Sequence, residues 1–231
     1  MRMFNLPKVR VDLMCSSVAD LDPFYDKVTR DFHRDARARH RKLPLIGTLT
    51  FGVALCPLSK VKGEYLKGIE ASGRRNVKKS QRLGYDFQKI DVNANLGDIQ
   101  AIRQSADIRQ GKMDADFLKG EVVPCRNPEP RTSTHDYPYF GVLRDGHLYA
   151  YAGVLIAGEL AMIEHIYGHA ARHADGVVPA LLVGIAEHLA VQYPSVRYYG
   201  YGSYFGASET MRRFKRKFLF MPHRVKWILG G

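Results

Sequence analysis

The chain has 231 residues, 45% of them apolar and 25% charged, which is enough to bury one sizeable core and too ordinary for a wholly disordered protein. Its formal net charge is +12, and the excess is concentrated at the front: residues 1–82 hold 18 Lys/Arg against 8 Asp/Glu, and residues 83–231 hold 17 against 15. A basic region beside a near-neutral one suits an anionic partner (a phosphate-rich cofactor, a nucleic acid or an acidic membrane surface) or a solvated face that aids solubility. Cys15, Cys56 and Cys125 are far apart and lack CxxC spacing. That pattern argues against a disulfide framework or a metal site and fits a reducing, cytoplasmic setting. No secretion signal is visible, and the apolar segment 43–58 is broken by Pro44, Gly47 and Gly52, well short of the roughly 20 apolar residues of a membrane-spanning helix.

Residues 1–42 are polar and basic and read as an arm or an N-terminal helix, with Asp22-Pro23 as a start signal for a helix toward His40. Residues 43–231 read as one domain. Residues 45–56 are rich in small and β-branched side chains and predict a strand. Residues 62–83 predict a helix carrying Arg74, Arg75, Lys78, Lys79 and Arg82, closed by Gly84 as the C-terminal glycine. Residues 85–91 alternate as a strand, and 96–109 carry Ile99, Ile102 and Ala106 at helical spacing. Arg109-Gln110-Gly111 caps that helix or shapes a pocket. Residues 119–136 hold Pro124, Pro128 and Pro130 and form a loop, either a lid or a connector.

From residue 137 the pattern sharpens. Strands at 137–143, 147–156 and 160–167 are joined by the tight turns Arg144-Asp145-Gly146 and Ala157-Gly158-Glu159, so they form an antiparallel meander. A small polar stretch, 168–175, leads into a helix over 177–191 with Val178, Leu181, Leu182, Ile185 and Leu189 on one face and Pro179 in its first turn. A strand at 196–201, a helix from Ser208 to Phe218 and a last strand at 221–228 follow. The whole predicts an α/β fold with a mainly antiparallel central sheet flanked by helices.

The strand-to-helix turn at 169–178 is the first candidate site. The opening N–H groups of a helix lack intrahelical partners and, with the helix dipole, attract phosphate oxygens. Gly176, Val177 and Val178 would supply those groups, Gly176 would allow close approach, and Arg172 and His173 would add charge. Transfer of an acyl group to an amine needs a base, an oxyanion donor and an acid for the leaving group. His169, at the strand end, and then Glu164 are the candidate bases; strand alternation sends Glu164 and His165 to opposite faces. For both bases a structural hydrogen-bonding role is the competing reading. Tyr201 and Tyr204 are candidate acids or pocket walls. The cations of the last helix, Lys215 among them, would hold donor phosphates or tRNA, or form a solvated face opposite Phe214 and Phe218.

Ile163-Glu-His-Ile-Tyr-Gly-His-Ala-Ala-Arg-His-Ala-Asp-Gly176 and the helix after it resemble the donor-binding strand, loop and helix of GNAT acyltransferases. Phe214-Lys-Arg-Lys-Phe-Leu-Phe-Met-Pro222 resembles the FKxxxGF ending common in that superfamily, with Leu219 at the glycine position. The likeness covers about 90 residues. It implies a GNAT-like fold, an acyl-CoA donor, a small-molecule or peptide amine acceptor, and a tyrosine near Tyr201 acting as acid toward a leaving thiolate. Gly73-Arg-Arg-Asn-Val-Lys-Lys-Ser-Gln-Arg-Leu-Gly84 is similar to a helix of Fem-type transferases, which use aminoacyl-tRNA. The usual donor loop carries several glycines and this one keeps only Gly176, so a longer acyl-CoA, an acyl carrier protein or aminoacyl-tRNA stands beside acetyl-CoA. A non-catalytic binding module with the same fold is a third reading, and exposed edge strands fit a homodimer.

Overall fold

The computed structural model describes residues 5–16, 23–40, 43–58, 64–108, 113–130 and 132–230. The elements in chain order are β1 (Lys8–Asp12), α1 (Pro23–Arg37), β2 (Arg39–His40), β3 (Leu43–Gly47), β4 (Phe51–Pro57), α2 (Tyr65–Gly68), α3 (Ala71–Arg82), β5 (Asp86–Ile90), α4 (Leu96–Gln104) and α5 (Ala115–Lys119). They continue with β6 (His135–Asp136), β7 (Tyr139–Arg144), β8 (His147–Ala157), β9 (Leu160–Gly168), α6 (Val177–Gln192), β10 (Tyr198–Ser203), α7 (Glu209–Lys217) and β11 (Met221–Ile228).

One sheet of nine strands carries the molecule, in the order β1-β11-β4-β10-β9-β8-β7-β5, with β6 added beside β8. β1 with β11 and β9 with β10 are parallel; the other pairs are antiparallel. On one face α3 and α6 pack over Ala152, Val154, Ile163 and Tyr199. The other face is shared: α1 lies toward β11, over Val225 and Trp227, and α4 lies on β8, over Leu148 and Tyr151. This is the expected α/β fold, a mainly antiparallel central sheet flanked by helices.

The hairpin β7–β8 turns at Asp145 (φ 52°) and Gly146 (φ 79°), both left-handed, which is why Asp-Gly is favoured there. Ser208 caps α7 by accepting a hydrogen bond from the Met211 N–H at 3.3 Å.

Three expectations need correction. Lys8–Asp12, read as part of an arm or helix, is an edge strand of the main sheet, pairing with Arg224–Ile228. The strand expected at 45–56 is two strands, because the residues between Gly47 and Phe51 turn, with the Gly47 N–H donating to Thr50 Oγ1 at 2.9 Å. The helix expected at 62–83 breaks between Gly68 and Ala71, where Ile69 becomes extended (ψ 161°); its start at residues 62–63 lies outside the described residues. The polar stretch 168–175 contains a 3-10 turn, Ala170–Asp175. The cap at Arg109-Gln110-Gly111 lies outside the described residues.

The proline-rich loop is a strap. Asn93 binds the Cys125 backbone at one end, donating to its carbonyl at 3.0 Å and accepting from its N–H at 2.9 Å. At the other end the Tyr25 hydroxyl donates to the Pro128 carbonyl. The loop thus ties the β5–α4 corner to α1.

Candidate functional site

The site is where the sheet opens. β9 and β10 pair only through Tyr198–Leu160, Tyr199–Ala161 and Gly200–Met162. Beyond that point the two parallel strands part, and a cavity of about 880 Å³ fills the gap. The β10-facing edge of residues 163–168 therefore has no ladder partner among the described strands, and its peptide groups face the opening.

A bulge fixes what lines that opening. The β8–β9 register shifts between Gly153 and Val154: Gly153 faces His165, Val154 faces Ile163, and Glu164 is the extra residue. Alternation sends neighbours to opposite faces; the bulge cancels one step of it. Glu164 and His165 consequently reach the same cavity, against the expectation that only one of them could. Tyr137 and Tyr139, two apart on the neighbouring chain, meet them in order: the Tyr137 hydroxyl donates to Glu164 Oε2 at 2.8 Å, and the Tyr139 ring lies 5.5 Å from that of His165.

The two residues differ in chemistry. His165 sits in a box with Tyr139, Tyr151 and Tyr167. Burial, with the Arg103 charge added, lowers its pKa to about 4, so it is a neutral imidazole near pH 7. Burial raises the Glu164 carboxyl, the Tyr137 hydrogen bond pulls it partly back, and the Asp35 charge adds a further rise. A carboxylate moved toward neutrality is the better general base of the two. Replacing Tyr137 by Phe removes the donor that favours the carboxylate form. The acidic limb of the kcat/KM profile then moves to higher pH in Tyr137→Phe; a limb that stays put would show that Glu164 is not the titrating base.

On the far wall, α7 presents Lys215. The sequence placed it among outward-facing cations or phosphate ligands, but its side chain is turned inward and only 4% exposed. Its Nζ donates to the carbonyls of Tyr201 at 2.6 Å and Ser203 at 2.7 Å, and lies 4.7 Å from the centre of the Tyr201 ring. Desolvation lowers its pKa to about 8. The bulk of Phe214 and Phe218 forced the misreading: Phe218 is buried, whereas Phe214 is half-exposed at the cavity and leaves room beside it for the lysine stem. Burial raises the Tyr201 hydroxyl, keeping it a protonated phenol.

Of the expected site residues, Glu164, His173, Val178, Tyr201 and Lys215 line the cavity. His169, Arg172, Gly176, Val177 and Tyr204 are not among its lining residues. His169 lies beside Tyr149, ring centres 6.4 Å apart, at the far end of β9. Tyr204 packs edge-on to Phe205. Arg172 stands over Tyr149 and 3.8 Å from Asp175, and Val177 is fully buried in the α3–α6 core.

Gly176 has φ 81°, and a Cβ there would run into the Asn76 carbonyl of α3 rather than open space. Lys79 Nζ donates to the Ala174 carbonyl at 2.7 Å, and the Tyr85 hydroxyl donates to Asp175 at 2.9 Å. The turn is stapled to α3, and its glycine serves close packing and a left-handed cap. Gly176→Ala should cost more than about 2 kcal/mol from strain and overlap together. Urea denaturation reads this directly; a loss below about 0.5 kcal/mol would mean that the turn is free to move away from α3. The glycine facing open space at the cavity is Gly202, φ 58°, in β10.

No protein-family model matches the sequence, and no curated protein sequence matches it. Among solved structures, FemX superposes with a TM-score of 0.55 at 10% identity, over 74% of this chain and 59% of that one. The C-terminal domain of a putative lysylphosphatidylglycerol synthetase from Agrobacterium fabrum matches at 0.48 and 19% identity, over 74% and 57%. A tandem GNAT protein from the clavulanic acid biosynthesis pathway matches at 0.47 and 14%, over 75% and 50%. The chain thus spans a little over half of the length of the first two. FemX, which superposes with a TM-score above 0.5, shares the fold. No helix among the described residues is long and apolar enough to cross a membrane.

Proposed function

We propose that the chain transfers an acyl or aminoacyl group from an activated donor to an amine in the cleft between β9 and β10. The observation that carries this reading is the bulge that sets Glu164 at the open sheet edge. In the proposed reaction Glu164 takes the proton from the attacking amine as the new C–N bond forms. The N–H groups on the β10-facing edge of β9, near Glu164, receive the charge that develops on the carbonyl oxygen. Tyr201 or Lys215 returns a proton to the departing thiolate or ribose hydroxyl as the old bond to the acyl carbon breaks. His165, neutral in its aromatic box, shapes the cleft.

For the donor, our first reading is an acyl thioester, on CoA or a carrier protein, with Tyr201 lining the cleft where the thiolate would depart. A second reading, aminoacyl-tRNA, has its own support. α3 and α7 both border the cavity through Asn76, Met211 and Phe214, and carry exposed Arg75, Lys78, Arg82, Arg213 and Arg216. Titration with acetyl-CoA, longer acyl-CoAs and charged tRNA separates the two. A tRNA complex would weaken steeply with salt, log K falling linearly with log salt. Acyl-CoA binding with a shallow salt slope and no tRNA binding would leave the thioester reading; binding of none would overturn the proposal.

A further inference from the structure

The cleft has a second mouth. On the α1 face of the sheet lies another cavity, of about 480 Å³, and Ile163, Glu164 and Gly202 line it as well as the first. The two spaces thus meet at the proposed base and at a glycine whose missing side chain leaves open space. The walls of the second cavity are apolar, from Val28, Phe32 and Ala36 of α1, Leu49 and Met162. Its charged lining residues are Asp31, Asp35 and Glu164, and no Lys or Arg stands among the described lining residues. In a chain with 35 Lys/Arg against 23 Asp/Glu this reverses the general charge.

The rim carboxylates are already paired on their outer side. Asp31 meets Lys27 and Arg34, both at 2.6 Å, and Asp35 meets Arg34 at 2.9 Å. These cations are 68–76% exposed, so such pairs hold weakly and yield to a competing cation. An apolar cavity with Asp31 and Asp35 on its α1 side and Glu164 where it meets the cleft suits a molecule charged at both ends with a hydrocarbon stem between them.

We infer that the acceptor enters by this second mouth and is an aliphatic diamine or polyamine: one nitrogen reaches Glu164 while a second, still protonated, remains at Asp31 and Asp35. The inference rests on the transfer reading above and adds the acceptor class and its route. The test is calorimetric titration of the full chain, without donor, by 1,5-diaminopentane, 1-aminopentane and 5-aminopentanoate. The diamine should bind about fivefold or more tighter than the monoamine, with the amino acid weakest. Asp31→Asn with Asp35→Asn should abolish that ranking, and Asp31→Glu with Asp35→Glu should restore it. Equal binding of the three, or a ranking that survives the Asn pair, overturns the inference. Diamine binding with no transfer from any donor would sink the transfer reading alone; transfer to amines whose order ignores Asp31 and Asp35 would sink this inference alone.

Discussion

Glu164→Gln is expected to lower kcat/KM for transfer by about 10²- to 10⁴-fold, the range that a positioned general base supplies. The substitution is nearly isosteric, and the amide oxygen can still accept from the Tyr137 hydroxyl 2.8 Å away. Because Glu164 is the extra residue of a bulge and projects into the cleft, no core packing depends on its charge. Denaturation midpoints should therefore stay close to the parent while the rate collapses. A full rate in Glu164→Gln would remove the carboxylate from the chemistry, and a large fall in stability would make it a structural residue.

Lys215→Met should damage both stability and transfer. The side chain is buried, and its Nζ satisfies two carbonyls, those of Tyr201 and Ser203. Methionine keeps the stem and strands both acceptors, at a cost of about 2–4 kcal/mol. The pH dependence is specific. Desolvation lowers the folded-state pKa from 10.5 to about 8, so between those values the unfolded chain binds more protons at this site than the folded one. Stability that Lys215 contributes accordingly rises with pH through that window, instead of falling as it would for a lysine gaining an acidic partner. The stability gap between parent and Lys215→Met should widen from pH 8 to pH 10, read by urea denaturation at each pH. A gap that narrows would mean that the buried amine keeps its proton more firmly than its surroundings imply. Loss of transfer in the same variant, with its midpoint held by lower temperature, would separate the chemical role from the structural one.

Much of the fold was legible because local rules and tertiary packing agree there. The Asp145-Gly146 turn, the helix α6 and the Ser208 cap each have a local cause, and each lies where the sequence places it, although α6 buries Val177 and Val183 beside the expected face and is not a one-sided helix. β1 was hidden because five residues, Lys8–Asp12, with alternating charges read as a polar arm; only parallel pairing with β11 makes them a strand. The site was half legible. Glu164 and Tyr201 follow from residue type in adjoining strands. His169 attracted the base role by its place in sequence, yet the strand carries it past the cavity to Tyr149. The shared orientation of Glu164 and His165 was unreadable, since a bulge is set by the register with β8 and leaves no mark in the alternation of β9. Lys215 was misread because a helix that is basic on most sides gives no hint of which cation turns inward. The packing role of Gly176 was unreadable because its cause, the approach of Asn76 from 100 residues earlier, is wholly non-local.

The most direct test follows a labelled acyl group. The parent protein and Glu164→Gln are each mixed, in a single-turnover experiment, with acetyl-CoA, longer acyl-CoAs or charged tRNA and a panel of amines that includes 1,5-diaminopentane, and amide products are separated. The cleft predicts labelled amide from at least one donor with the parent and a rate about 10²-fold or more lower with Glu164→Gln. No amide from any donor, or the same rate from both proteins, would contradict it.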